Sequence, residues 1–194
     1  PQNPKTPKPQ NPIKLKNISW RVICNLNLKK MDSGQSIETL IGNKFLRKKS
    51  YLGDKEKETL YLVEDCNVDQ FSDCKFVLLF FSAGWCAPCE QFLQVLKDFY
   101  SEVNLSEKVV EIMYVSCDRD EQGFKETYAK MPWITVVYNN PLHESLKKKF
   151  EIIGVPVVLV CEAKTGFVIS QKGRKDIFDH GVACLKFWTD DMPA

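Results

Sequence analysis

The 194-residue chain has only two histidines, His143 and His180, and neither stands in a ligand-like pair with a cysteine. Its one CxxC lacks a second pair at similar spacing, so the usual four-ligand zinc or iron–sulfur framework has too few donors, and no metal is expected. No apolar run approaches the roughly 20 residues that a spanning helix needs, so a membrane association is not expected. Residues 1–30 hold no acid, but arginine and serine are scarce there, and that scarcity argues against a transit peptide. No stretch reads as a signal peptide. With 44% hydrophobic and 11% aromatic residues the chain can build a core without covalent staples. The eight cysteines therefore do not read as a secreted disulfide framework, and a cytoplasmic, reducing compartment is expected.

What is present centres on Trp85-Cys86-Ala87-Pro88-Cys89. Upstream, Lys75–Phe81 is an apolar run of the kind a fully buried strand requires. Downstream, Phe92, Val95, Leu96, Phe99 and Tyr100 recur at helical spacing. Cys86 then falls where a helix begins, where free backbone N–H groups and the macrodipole stabilise a thiolate. Cys89, one turn on, is expected to be more buried and within reach of the Cys86 sulfur. That arrangement suits an attacking and a resolving thiol joined by a reversible disulfide. Half of a zinc site and an inert structural pair are the alternatives; the strand-to-helix context favours redox chemistry. Cys117 and Cys161, in strand-like apolar surroundings, read as small buried hydrophobes. Cys24, Cys66, Cys74 and Cys184 are ambiguous, and all six are expected to be mostly reduced.

Charge is unevenly spread. Of the 27 Lys and Arg, seven fall in residues 1–30, leaving 20 against 25 Asp and Glu for the rest. Proline at positions 1, 4, 7, 9 and 12 among Lys, Asn and Gln makes the opening segment unable to bury a core. Residues 1–30 thus read as a basic, largely disordered extension, with Ile13–Leu28 able to form a strand or short helix, and 31–194 as one domain. A basic docking tail is the functional reading of the extension. Nucleic acid is not an expected partner, because Trp20 is the only interleaved aromatic residue. Strands are expected at Thr59–Val63, Phe76–Ser82, Val109–Ser116, Val155–Cys161 and Gly166–Ser170, with a short extended piece at Ile134–Tyr138. Helices are expected over Cys89–Val103, Asp118–Met131, Leu142–Phe150 and within Asp176–Phe187. Alternating strands and helices followed by a hairpin and a helix make an α/β sandwich around a mixed sheet.

The stretches FFSAGWCAPCEQFLQVLKDFY, EIMYVSCDRDEQGFKETYAKMPW and LKKKFEIIGVPVVLVCEAKTGFVI, with the late KFW, resemble the thioredoxin superfamily and within it the tryparedoxin/nucleoredoxin branch. The CDRDEQGF…MPW stretch separates that branch from ordinary short thioredoxins. The resemblance implies a thioredoxin-like three-layer sandwich, with Cys86 as nucleophile and Cys89 as resolving thiol. It implies that Trp85 shields the dithiol and offers a docking surface with Ala87 and Pro88, and that Pro88 shapes the helix start. It implies a cis Val155–Pro156 bond facing the dithiol, whose backbone pairs with an extended substrate, and places Trp133 near the same rim; a core-packing Trp is the other reading of Trp133. No organic cofactor is implied.

Four positions depart from the pattern. Ala87 stands where proline is usual. Glu90 replaces a basic residue and opposes a nearby thiolate. Gly84 replaces Ser or Ala and is expected to loosen the turn. Phe80 occupies the place of the buried Asp of ordinary thioredoxins, which leaves the base that activates Cys89 unassigned, with water able to serve. The expected function is thiol–disulfide exchange on protein disulfides, thiol peroxidases among them, with an upstream dithiol donor or reductase. The alternative is a thioredoxin-fold binding module or subunit of a larger assembly. The basic tail, the charged Ser50–Glu58 segment and the changes at Ala87 and Glu90 favour that alternative somewhat, although such a charge run is more often a solvated loop.

Overall fold

The computed structural model describes residues 36–48 and 63–192. The basic extension with Cys24, the charged 50–58 segment and residues 59–62 of the expected first strand lie outside the described residues. Elements run in the order α1 (Ile37–Ile41), β1 (Phe45–Lys48), β2 (Val63–Cys66), a 3-10 turn (Val68–Phe71), β3 (Phe76–Ser82) and α2 (Ala87–Val103). They continue with β4 (Val110–Ser116), α3 (Glu121–Ala129), β5 (Ile134–Thr135), α4 (Pro141–Lys149), β6 (Val157–Glu162), β7 (Val168–Ser170), α5 (Gly173–His180) and α6 (Cys184–Asp190).

Among the described residues these strands form one mixed sheet in the order β2-β1-β5-β4-β3-β6-β7. The centre is parallel: β3 pairs with β4 from Phe76↔Val110 to Ser82↔Ser116, and β4 with β5. β6 returns antiparallel against β3 and continues into β7 as the expected hairpin. All seven residues of β3 and of β4 are buried, which is why β3 reads as a continuous apolar run and β4 lacks a polar alternation.

On one face of the sheet, Phe76, Leu78 and Phe80 meet Phe92, Leu96 and Phe99 of α2 and Trp188 of α6 in a single core. Aromatic rings make most of the close contacts: Phe76 and Phe99 both meet Trp188 edge-on, and Tyr114, Phe124 and Tyr128 stack in parallel. Truncating a ring such as Phe80 would cost about 3–5 kcal/mol. The α/β sandwich expected from the sequence is therefore present.

Its details differ in four places. No periodicity announced the helix α1 or the strand β1, and β1 pairs with β2 and β5 and extends the sheet. The expected single last helix is two, divided by a 3-10 turn at Gly181–Ala183, where Gly181 takes a positive φ of 53° that ends α5. Helix α3 begins at Glu121 rather than Asp118, because the Asp120 carboxylate accepts the Gly123 N–H and caps it there. Cys161 is fully buried, but Cys117 is only half-buried, since it lies just past the end of β4, where the strand leaves the core.

Candidate active site

Strand β3 delivers its chain to the sheet edge at Ser82, and the turn Ala83–Trp85 leads into α2. Cys86 is the N-cap of α2, in an extended conformation, and its carbonyl accepts the Cys89 and Glu90 N–H groups at 2.9 and 3.2 Å. Pro88 sits in the first helical turn, where its missing N–H costs nothing. Cys86 retains 6% of its surface and Cys89 1%, and the two side chains are within hydrogen-bonding reach. Both are unlinked thiols. Burial pushes the Cys89 thiol up to about 12, and its contact with Cys86 adds to that; the Ser82 hydroxyl and the Ala83 backbone pull the other way.

The loop before β6 comes up beside the pair. The Val155–Pro156 bond is cis, and the Cys86 thiol points at the Val155 carbonyl at 3.5 Å. Val155 is half-exposed while Pro156 is buried. A groove of about 420 Å³ runs from this loop along Ile152, Ile153 and Leu159 to Gln171. On the other side Trp85 is 55% exposed, and Ala87 and Pro88 are exposed next to it. The structure therefore brings Trp85, Ala87, Pro88, Val155 and Pro156 around the two thiols.

Trp133 does not join them. It is fully buried at the start of β5, with its ring edge-on to Phe80 and Tyr100 at 6.1 and 5.8 Å, so the expected rim position is corrected to a core one. Among the described residues its indole N–H meets no hydrogen-bond partner.

The sequence reading missed what holds the turn. Asp118, just beyond β4, accepts the Gly84 N–H at 2.7 Å, the Ser116 hydroxyl at 2.9 Å and the Thr127 hydroxyl at 3.2 Å, together with the Tyr114 hydroxyl. Burial and the Asp118 carboxylate both raise the Tyr114 pKa, so that phenol stays a donor. On either side of Asp118, the Cys117 carbonyl accepts the Trp85 indole N–H at 3.1 Å and the Arg119 guanidinium lies 5.0 Å from the Trp85 ring. Three consecutive residues thus fix Gly84 and Trp85. The available signal was a polar Cys-Asp-Arg triplet at the carboxyl end of a buried parallel strand, where sites gather in open α/β sheets.

Two of the expected departures need correcting. Gly84 does not loosen the turn: a Cβ there would lie 2.4 Å from the Thr127 Oγ1, so any side chain would have to displace that hydroxyl. Glu90 is not an unbalanced charge beside the dithiol, because Lys130 pairs with it at 2.6 Å and lowers its pKa. Phe80, in place of a buried acid, is wholly within the core. Among the described residues no cluster of three or more His, Cys, Asp or Glu is arranged to hold a metal ion, and no helix is long and apolar enough to cross a membrane.

A thioredoxin-like family model matches residues 73–168, which include both thiols and the Pro156 loop. Probable nucleoredoxin 1 of Arabidopsis thaliana is 33% identical over 113 residues, 58% of this chain but 19% of that protein. The chain therefore spans about a fifth of that relative's length. Tryparedoxin of Trypanosoma brucei brucei is 34% identical over 106 residues, which are 54% of this chain and 73% of that protein. Among solved structures, tryparedoxin from Trypanosoma brucei superposes with a TM-score of 0.62 at 26% identity, covering 84% of this chain and 97% of that one. With the dithiol at its strand-to-helix turn and the facing cis-proline loop, the chain belongs to the thioredoxin superfamily, in the branch of the tryparedoxins and nucleoredoxins.

Proposed function

We propose that this protein is a thiol–disulfide oxidoreductase that reduces protein disulfides by cycling Cys86 and Cys89 between dithiol and disulfide. The observation that carries the reading is the placing of Cys86: at the start of α2, in contact with Cys89, with its sulfur 3.5 Å from the Val155 carbonyl. Cys86 as thiolate attacks one sulfur of the substrate disulfide, forming a mixed disulfide and releasing the other sulfur as a thiolate. The Val155 backbone and the exposed Trp85 ring bracket the substrate segment that carries the bond. Cys89 then attacks Cys86, the internal disulfide forms, and the second substrate sulfur leaves. An upstream dithiol donor restores the pair. Disulfide-bearing proteins, thiol peroxidases among them, are the substrate class.

The test is thiol-trapping mass spectrometry on the Cys86–Cys89 peptide across a dithiol/disulfide buffer series, run beside disulfide-reduction turnover. The expected result is a two-electron transition within about −200 to −270 mV, the range of cytosolic dithiol carriers, with turnover lost in Cys86→Ser. A couple without turnover, or none in that range, would leave the binding-module alternative as the better account.

A further inference from the structure

The resolving step has a proton to lose. Cys89 is a neutral thiol at 1% exposure, and it cannot attack Cys86 without shedding that proton. Among the described residues no carboxylate is hydrogen-bonded to it, and Phe80 is an apolar ring within the core.

Beside the Cys89 sulfur lies a small cavity of about 10 Å³, lined by Ser82, Gly84, Cys89, Glu90, Thr127 and Lys130 among others. That is close to the least room one water needs, and polar partners are at hand, as a buried water requires. The Ser82 hydroxyl is already hydrogen-bonded to Cys89. Thr127 is 5% exposed and donates its hydroxyl proton to Asp118 at 3.2 Å. Its Oγ1 therefore presents only acceptor lone pairs elsewhere, and it occupies the space that a Cβ on Gly84 would take. At the outer wall stands the solvent-exposed Glu90–Lys130 pair.

We infer that this cavity holds one water that takes the Cys89 proton, with Thr127 and Asp118 as the residues that position it; the inference rests on the function proposed above. The water accepts the S–H proton while donating one of its own hydrogen bonds to Thr127 Oγ1. Ser82 turns its hydroxyl proton toward the sulfur as negative charge develops there. The Cys89–Cys86 bond forms, the bond from Cys86 to the substrate sulfur breaks, the substrate leaves as a thiolate, and the proton passes through the water to solvent beside Glu90. No external oxidant or reductant is consumed beyond the substrate disulfide.

The test uses the full reduced chain and glutathione disulfide, with acid quench and mass spectrometry of the Cys86 peptide to follow formation and decay of the Cys86–glutathione adduct. Thr127→Val keeps the shape and removes the oxygen. It is expected to slow resolution roughly ten-fold, at the lower end of what positioned proton transfer supplies, and to slow adduct formation far less, since Asp118 keeps its three other donors. Thr127→Ser is expected to restore resolution, which a purely structural role of the β-branched side chain would not. Gly84→Ala, whose Cβ displaces the hydroxyl, should slow decay as well, and it carries the test if Thr127→Val does not fold. Decay at the parent rate in both variants, or formation and decay slowed equally, overturns the water relay and leaves the oxidoreductase intact. A parent chain that forms no adduct on Cys86 overturns the proposed function itself, and the relay with it.

Discussion

Strand β4 carries a buried carboxylate at its start and ends beside a half-buried one, and the protein treats the two in opposite ways. Glu111 is wholly buried and is met by two cations, Arg47 from β1 and Lys108 at 2.7 Å, and by the neutral Tyr100 hydroxyl at 3.2 Å. Among the described residues Asp118 is met by neutral donors, three hydroxyls and the Gly84 amide. Charge at Glu111 is cancelled on the spot, and the partners tie β1, β4 and α2 together at the end of the sheet away from the thiols. At Asp118 the charge is spread over hydrogen bonds, and one of these reaches the backbone two residues before Cys86. The first arrangement serves the fold, and the second fixes the turn that carries the dithiol.

The largest effect should come from unbalancing Glu111. Arg47→Met leaves a fully buried carboxylate with one cation fewer, and such losses cost about 3–5 kcal/mol. Denaturant unfolding should show the drop, while the rate of Cys86 adduct formation stays at the parent value. A variant that kept its stability, or lost adduct formation in proportion, would erase the contrast between the two ends.

His143 of α4 sharpens the comparison, because it is a buried titratable group that makes no salt bridge among the described residues. Burial, and then Lys147, pushes its pKa down to about 4 from an ordinary 6.5, while Glu144 and Asp118 pull weakly the other way. Between those two values the unfolded chain binds a proton that the folded chain refuses. Stability therefore falls as pH falls from about 6.5 to about 4, by roughly 3 kcal/mol over the window. Urea midpoints of the parent and of His143→Leu across that window check it: the variant should lose distinctly less, and parallel curves would refute the assignment.

Next in size is Asp118→Asn. The amide keeps the volume but surrenders charge-assisted acceptance from four donors, at a cost of about 2 kcal/mol. Here the stability loss is smaller than at Arg47, yet the dithiol should suffer: adduct formation on Cys86 slows and the Trp85 emission shifts as the Gly84–Trp85 turn loosens. Unchanged chemistry in a mildly destabilised protein would make Asp118 another fold anchor.

The same contrast explains what could be read in advance. A continuous apolar run made β3 legible, β-branched residues made β4 legible, and the two-thiol spacing at the end of β3 made Cys86 and Cys89 legible. Strand β1 was not, because Phe45-Leu46-Arg47-Lys48 has no period that separates it from a loop until Glu111 supplies the partner for Arg47. Trp133 was ambiguous, since a tryptophan serves a rim or a core equally well and only its neighbours Phe80 and Tyr100 decide. Gly84 was misread for a similar reason: its need is created by Thr127, 43 positions further on and far along the chain. Asp118 looked like the start of a helix, because sequence alone does not reveal that four donors from three elements converge on it.

The smallest effect should appear at the surface pair Glu90–Lys130, where both side chains are about half exposed or more. Such pairs contribute little to folding, so Lys130→Gln should leave the melting temperature unchanged. It would nevertheless free the Glu90 carboxylate, one helical turn from Cys86, to oppose the thiolate that attacks. Adduct formation should slow about two-fold at low ionic strength, and the difference should vanish near 1 M salt, where the screening length falls to about 3 Å. A salt-independent change would mean that Lys130 acts through packing, and the exposed pair would then resemble the Glu111 end of β4 rather than the Asp118 end.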